Sequence, residues 1–200
     1  MKFIAFMILL LVLVSACAGT KPPPHPTHYT PQVRMEIHAD TTFTLHERGL
    51  IKMAVDTMRD QTGAFVDVSV VFDLNFESME SLKMNVDRNT LARVGSDAKG
   101  LDKTTLGYCI ANFDDLELVR SAKAALIYDR LPSDKVWVHV AMHEILHMIR
   151  LRHIAVDRTI MFAYTPVSGN NIIMCMTPQD MQELCLTHGC NVVEMKPCNP

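Results

Sequence analysis

Three histidines and one glutamate lie within the sequence HEILHMIRLRH, residues 143–153. His143 and His147 are four residues apart, so on a helix both imidazoles project from one face about a turn apart. Such a pair can supply two of the nitrogen ligands that zinc binds at about 2.0–2.1 Å. Glu144 follows the first histidine, where a carboxylate can serve a metal-bound water as general base. The pattern therefore predicts a catalytic zinc centre in which Glu144 is the catalytic residue.

A catalytic zinc site usually has three protein ligands and one open position. His153, six residues after His147, completes the pattern H-E-x-x-H-x-x-x-x-x-H. This spacing resembles that of the metzincin metallopeptidases. Met161, eight residues further on in RTIMFAYTP, resembles the Met-turn of their matrix metalloproteinase (matrixin) branch. The resemblance, which spans roughly residues 31–190, implies that the three histidines hold one catalytic Zn²⁺ ion and that Met161 forms the floor beneath it.

One position departs from the family pattern. The family usually has glycine where this chain has Arg150, because the chain leaves the helix there in a left-handed conformation. A side chain in that conformation costs roughly 1–2 kcal/mol. Either Arg150 accepts the strain, or the turn differs and His153 reaches the metal by another path. The resemblance also implies that TLGYCIAN is an edge strand along which a peptide substrate pairs.

The elements before this pattern are predicted from caps and periodicity. Thr44 to Glu47 reads as a capping box that opens an early helix, which stops near Gly63. A strand begins at Val66, while residues 75–104 show no clear pattern. Two more strands are predicted in TLGYCIANF and AKAALIYD.

The elements that carry and follow the pattern are helical. The segment from about Asp134 to Ile149 is apolar nearly all round, which predicts a helix buried at the centre of a domain. Thr177, with Pro178 after it, begins a last helix that runs to about Leu186. We therefore predict an α/β (α+β) metzincin-like fold: a twisted mixed sheet, an early helix, the buried active-site helix and a small C-terminal subdomain with a final helix. The metallopeptidase domain would cover 31–200, divided into subdomains 31–153 and 154–200.

The N-terminus predicts export and anchoring. Lys2 precedes an apolar run that is too short to span a bilayer, so residues 1–16 read as a signal peptide. VSAC resembles a bacterial lipobox, which implies a lipid on Cys17, and the proline-rich residues 17–30 read as a tether. We expect an exported lipoprotein, on the outer membrane or facing the periplasm in a two-membrane bacterium. The alternative is an ordinary signal peptide that leaves Cys17 free.

Charge and cysteine content restrict the partners. A formal net charge of −3 gives no electrostatic reason to expect binding to nucleic acid. We expect a monomer whose substrate is a protein or peptide. Export permits disulfides, and the cysteines crowded near the C-terminus suggest a stapled end. Of the six cysteines, five remain when Cys17 is set aside, so at least one thiol stays unpaired within the chain. The pairing is left open among Cys109, Cys175, Cys185, Cys190 and Cys198.

The remaining candidate residues are assigned simpler roles. His139 shares the helix stripe of His143 and is interpreted as a packing residue. Met174 and Met176 offer an alternative Met-turn, Tyr164 could orient substrate, and Asp157 is a turn acid or a partner of a ligand. Surface positions are predicted for the other histidines, which are His25, His28, His38, His46 and His188.

The prediction from sequence is thus a zinc endopeptidase with Glu144 as general base. The alternative is a non-catalytic lipoprotein that keeps the fold as a zinc-stabilised binding or surface-interaction module. Glu144 speaks against this alternative, because a purely structural zinc site needs no base. Arg150 is the feature in its favour.

Overall fold

The computed structural model describes residues 33–76, 88–98, 102–113, 119–165 and 172–198. In chain order the elements are β1 (Val33–Asp40), α1 (Leu45–Gln61), β2 (Val66–Leu74), β3 (Thr90–Val94), β4 (Gly107–Phe113), β5 (Val119–Ile127), α2 (Asp134–Met148) and α3 (Pro178–His188). The predicted α/β class with a mixed sheet is confirmed. The predicted signal peptide and tether, with Cys17, His25 and His28, lie outside the described residues. None of the described helices is long and apolar enough to cross a membrane.

The five described strands form one sheet in the order β2-β1-β3-β5-β4. Four of them run parallel, and β4 pairs antiparallel with β5 at one edge. The sequence reasoning missed β1 and β3, although it located the other three strands. Among the described strands β4 has a single neighbour, so its other edge, called the open edge below, pairs with no described strand.

Helix α1 begins with the predicted capping box. The Thr44 hydroxyl accepts from the Glu47 amide at 3.2 Å, and the Glu47 carboxylate accepts from the Thr44 amide at 2.7 Å. The same carboxylate receives the Arg93 guanidinium at 2.9–3.2 Å, which ties β3 to the start of α1. The helix ends at Gln61, and Gly63 follows with a φ of 59°.

Helix α2 is the central helix of the domain. Its N-cap, Ser133, accepts from the Val136 amide at 3.4 Å. Twelve of its fifteen residues are buried, which explains why the sequence shows no polar face. It packs against α1, β4 and β5, so its position is fixed from several sides.

The C-terminal part is held by two disulfides. Cys175 pairs with Cys198 and Cys185 with Cys190, which confirms a stapled end. Cys109, on β4, is the free cysteine among the described residues.

Candidate metal centre

The Nε2 atoms of three histidines form a small triangle. His147 Nε2 lies 3.0 Å from those of His143 and His153, and the latter two are 3.2 Å apart. Tetrahedral zinc with nitrogen ligands at 2.0–2.1 Å requires separations of about 3.3–3.4 Å. The triangle matches that requirement to within a few tenths of an ångström. The structure thus brings together all three histidines that the sequence singled out.

Hydrogen bonds from the Nδ1 atoms of His143 and His147 fix the tautomers of these two rings. His143 Nδ1 bonds to the Ile160 carbonyl at 2.6 Å, and His147 Nδ1 bonds to the Leu151 carbonyl at 2.7 Å. A carbonyl oxygen only accepts, so each Nδ1 carries the proton and each Nε2 presents a lone pair. Burial lowers the pKa of His143 to about 3 and also lowers the pKa of His147, so both rings are neutral at pH 7. Lone pairs that point at one another repel, and a cation between them removes that repulsion. The residues present fit a zinc ion.

The end of α2 directs the chain toward the third histidine. The Arg150 amide donates to the His147 carbonyl at 2.9 Å, and the Leu151 amide donates to the Leu146 carbonyl at 3.0 Å. This is a Schellman motif, and Arg150 occupies its left-handed position with a φ of 76°. Of the two paths left open by the sequence, the structure shows the strained turn, which leads the chain to His153.

A second turn supports His143 from below. Met161 is fully buried, and its carbonyl accepts from the Ile154 amide at 2.8 Å. Both carboxylate oxygens of Asp180, at the start of α3, hold this turn: Oδ2 accepts from the Ile160 amide and Oδ1 from the Met161 amide, each at 3.0 Å. The Ile160 carbonyl then receives His143, so Asp180 fixes the orientation of a candidate ligand through one peptide unit.

Glu144 follows the candidate ligand His143 on α2, and its side chain is buried. It is 4% exposed, and its Oε2 atom has no hydrogen-bond partner among the described residues. Burial raises the pKa of this carboxyl to about 8, well above its ordinary value near 4.5. With this pKa the carboxyl is largely protonated at pH 7 in the metal-free site. A cation held at the triangle would favour its ionised form, which is a stronger base than an ordinary carboxylate.

Gly107, on β4, makes room for this carboxylate. A Cβ atom at position 107 would lie 2.7 Å from Glu144 Oε1, 2.9 Å from Glu144 Cγ and 3.0 Å from Val140 Cγ1. Any side chain would therefore push the carboxylate away from the strand. The sequence reasoning missed this role. The signal was present, because a glycine inside a strand often marks a close approach.

The centre opens into a cleft of about 1720 Å³. One wall is β4, which contributes Gly107, Tyr108 and Cys109, and the other walls include the turn after α2 and one side of α3. Burial raises the pKa of the Tyr108 hydroxyl to about 12 and also raises the pKa of the Cys109 thiol, so both are neutral. Tyr164 lines the cleft as well and is 78% exposed.

The other described histidines do not belong to the triangle, although the His139 ring stacks on that of His143 with centroids 6.5 Å apart. His139 is buried as predicted and bonds through Nδ1 to the Ile173 carbonyl at 2.7 Å. His46 is exposed and lies 2.8 Å from Asp134. His188, predicted at the surface and not as a ligand, is half-buried and lies outside the triangle, and its Nε2 bonds to the Ile149 carbonyl at 2.7 Å. This hydrogen bond helps to fix the position of the C-terminal end of α2.

The alternative roles weighed for other residues have different outcomes. Met176 is fully buried in front of α3, and its carbonyl accepts from the Cys198 amide, so it belongs to the stapled end. Met174 is half-buried in the same segment. Asp157 is exposed and its carboxylate accepts from the Arg158 amide at 2.8 Å, as a turn acid does.

No protein-family model and no curated protein matches the chain. Among solved structures, myroilysin has a TM-score of 0.47 at 10% identity over 82% of this chain and 97% of its own. Archaemetzincin from Methanopyrus kandleri has a TM-score of 0.47 at 16% identity, and the match covers 77% of this chain and 90% of that protein. High choriolytic enzyme 1, a hatching enzyme zinc-protease from Oryzias latipes, has a TM-score of 0.42 at 12% identity, and the match covers 82% of this chain and 94% of that protein. Likenesses at this level define no family for the chain, so the chemistry follows from the site itself.

Proposed function

We propose that this chain is a zinc-dependent endopeptidase whose ligands are His143, His147 and His153. The observation that carries this proposal is the combination of three converging Nε2 lone pairs with the carboxylate of Glu144 in one open cleft. The Oε2 atom of this carboxylate has no hydrogen-bond partner among the described residues. When bound, zinc polarises a peptide carbonyl and makes water more acidic. A closed structural site would use a fourth protein ligand, whereas the described residues offer three.

Glu144 acts as the general base. It takes a proton from the water that attacks the scissile carbonyl and passes that proton to the leaving amine. Its surroundings suit this role in two ways. Burial raises the pKa of the carboxyl, and Gly107 lets the carboxylate lie directly beneath β4.

The open edge of β4 binds the substrate backbone. An extended peptide can add to an exposed sheet edge through main-chain hydrogen bonds. Gly107, Tyr108, Cys109 and Ala111 of β4 line the cleft together with Glu144, so a peptide paired there passes the catalytic carboxylate. This arrangement favours cleavage within a chain.

The binding-module alternative loses its main support. The feature in its favour was Arg150, because a chain without the family's glycine at this position could lack the turn that leads to His153. The Schellman bonds of Arg150 and Leu151 are formed nonetheless, and His153 lies at the triangle. We therefore propose catalysis rather than binding alone as the function. We also propose that Met161, which is fully buried, has the role of the matrixin-like Met-turn.

We also propose that the enzyme is an exported lipoprotein. The support is the apolar run after Lys2, the VSAC sequence that ends at Cys17, and the proline-rich stretch that follows it. A lipid on Cys17 with a tether would hold the catalytic domain at a membrane surface.

The endopeptidase function is tested by removing and restoring the metal. The protein is stripped with a chelator and its cleavage of a quenched peptide pool is measured. Zinc is then added back in substoichiometric steps. We expect activity to disappear on stripping and to return in proportion to zinc up to about one equivalent. Cleavage that survives complete removal of zinc would contradict the proposal.

A further inference from the structure

We propose that the cleft selects peptides that carry a carboxylate group near the scissile bond, and that Arg150, Arg152 and Lys103 recognise this group. The inference rests on the endopeptidase function proposed above and concerns its substrate. The carboxylate can come from an aspartate or glutamate side chain or from a peptide C-terminus. Both sources present the same chemistry to the protein.

The charge of the cleft differs in sign from that of the chain. The whole chain has 19 lysines and arginines against 22 aspartates and glutamates. The described cleft lining has four cations, Lys103, Arg130, Arg150 and Arg152, against the carboxylates of Glu144 and Glu183. Glu144 is committed to catalysis. A cationic cleft in an acidic protein concentrates anionic ligands.

One of the four cations has a structural role. Arg130 donates to the backbone carbonyls of Ser96, Asp102 and Thr105. It also interacts electrostatically with Asp102 and with its neighbour Asp129. Arg130 therefore shapes the loop before β4, and we do not assign it to substrate recognition.

Lys103 and Arg152 are exposed on the cleft wall. Within the described ranges, neither has a carboxylate within 4 Å of its charged group. Arg152 immediately precedes the candidate ligand His153, and both residues line the same cleft. A planar guanidinium binds a carboxylate through two parallel hydrogen bonds, which gives direction as well as strength.

Arg150 adds a second guanidinium to the same turn. Its left-handed conformation, with a φ of 76°, suits glycine, and a side chain there is held at a cost. Arg150 nevertheless lines the cleft, and it lies between the ligands His147 and His153 in sequence. Strained residues occur often at binding sites, and a role in binding would explain why an arginine is kept at this position.

The first experiment separates substrate choice from catalysis. Zinc-loaded Glu144→Gln protein, in which the general base is absent, is titrated with fluorescent peptides that differ by one group. One pair exchanges an internal Glu for Gln, and a second pair exchanges a C-terminal carboxylate for the amide. We expect roughly tenfold tighter binding of the acidic member of at least one pair. The pair that shows the difference identifies the source, and the preference should weaken as ionic strength rises.

The second experiment assigns the residues. Arg152→Gln and Lys103→Gln, each combined with Glu144→Gln, should reduce the acidic preference several-fold, and Arg150→Gln should add to the loss. Arg158→Gln is the matched control, because Arg158 is exposed on the same loop, also has a positive φ, and lies outside the cleft lining. It removes the same charge and should leave the preference intact.

The outcomes separate this inference from the endopeptidase proposal. Equal binding of acidic and neutral peptides overturns the inference, as does a preference that the three substitutions leave unchanged or that Arg158→Gln removes as well. If acidic peptides bind preferentially but wild-type protein with zinc cleaves none of them, the endopeptidase proposal fails and carboxylate recognition stands.

Discussion

Replacement of Asp180 by asparagine tests how the metal centre is supported. The buried carboxylate accepts four hydrogen bonds: from the Ile160 amide at 3.0 Å, the Met161 amide at 3.0 Å, the Thr177 amide at 2.8 Å and the Thr177 hydroxyl at 2.7 Å. Three of these go to Oδ2 and one to Oδ1. Asparagine offers one acceptor and one donor in place of two acceptors.

The expected loss follows from this count. If the amide oxygen of asparagine takes the place of Oδ2, its NH₂ group faces the Met161 amide and leaves a buried donor without a partner. Such an orphan costs about 1–3 kcal/mol, and the remaining bonds lose the strength that a charged acceptor gives. We expect a fall of roughly 2–5 kcal/mol in the free energy of unfolding. The shifted turn also moves the Ile160 carbonyl away from His143, so zinc affinity should fall about 10–100-fold.

Two measurements check the Asp180→Asn prediction. Urea denaturation of metal-free protein gives the free energy of unfolding, and competition with a chromophoric chelator at low temperature gives the zinc affinity. Asp56→Asn is the control, since Asp56 is an exposed acid of α1 that pairs with Lys52. An Asp180→Asn protein that binds zinc as tightly as wild type would refute the supporting role, even if its stability were reduced.

Three further substitutions test separate parts of the account. Arg150→Gly should be tolerated or should stabilise the protein by roughly 0.4–1 kcal/mol in thermal denaturation, because it relieves a positive φ; clear destabilisation would contradict this. Gly107→Ala should keep zinc content but lower kcat at least tenfold, because the new Cβ would lie 2.7 Å from Glu144 Oε1; unchanged kcat would mean that the carboxylate adjusts freely. Cys17→Ser should move the protein from the membrane to the soluble fraction or block its processing, and an unchanged membrane fraction would remove the lipid anchor.

The metal centre was readable because its residues are close in sequence. Three histidines and a glutamate within 143–153 form a local pattern on one helix and one turn, and helical geometry places the first two together. The positive φ of Arg150 was one of two possibilities that followed from the family resemblance, and the sequence alone did not decide between them. The sequence analysis did not single out Asp180, whose bonds to the turn at 160–161 arise from tertiary packing.

Two strands and the disulfide pairing could not be read in this way. β3 has five residues and includes Arg93, whose charge is neutralised by Glu47 of α1, 46 residues away in sequence. β1 contains Glu36 and His38, and its place between β2 and β3 depends on parallel pairing with distant segments. The cysteines allowed several pairings, and only the folded positions select Cys175 with Cys198.

The central claim is that Glu144 serves catalysis and the three histidines serve the metal. The most direct measurement is zinc content by elemental analysis beside turnover of a peptide substrate, for Glu144→Gln and for His143→Ala. We expect Glu144→Gln to keep about one zinc per chain while turnover falls roughly 10²–10⁴-fold, the usual contribution of a positioned general base. His143→Ala should lose both zinc and turnover. If Glu144→Gln cleaves peptides as fast as wild type, or if wild type binds zinc and cleaves nothing, the claim is contradicted.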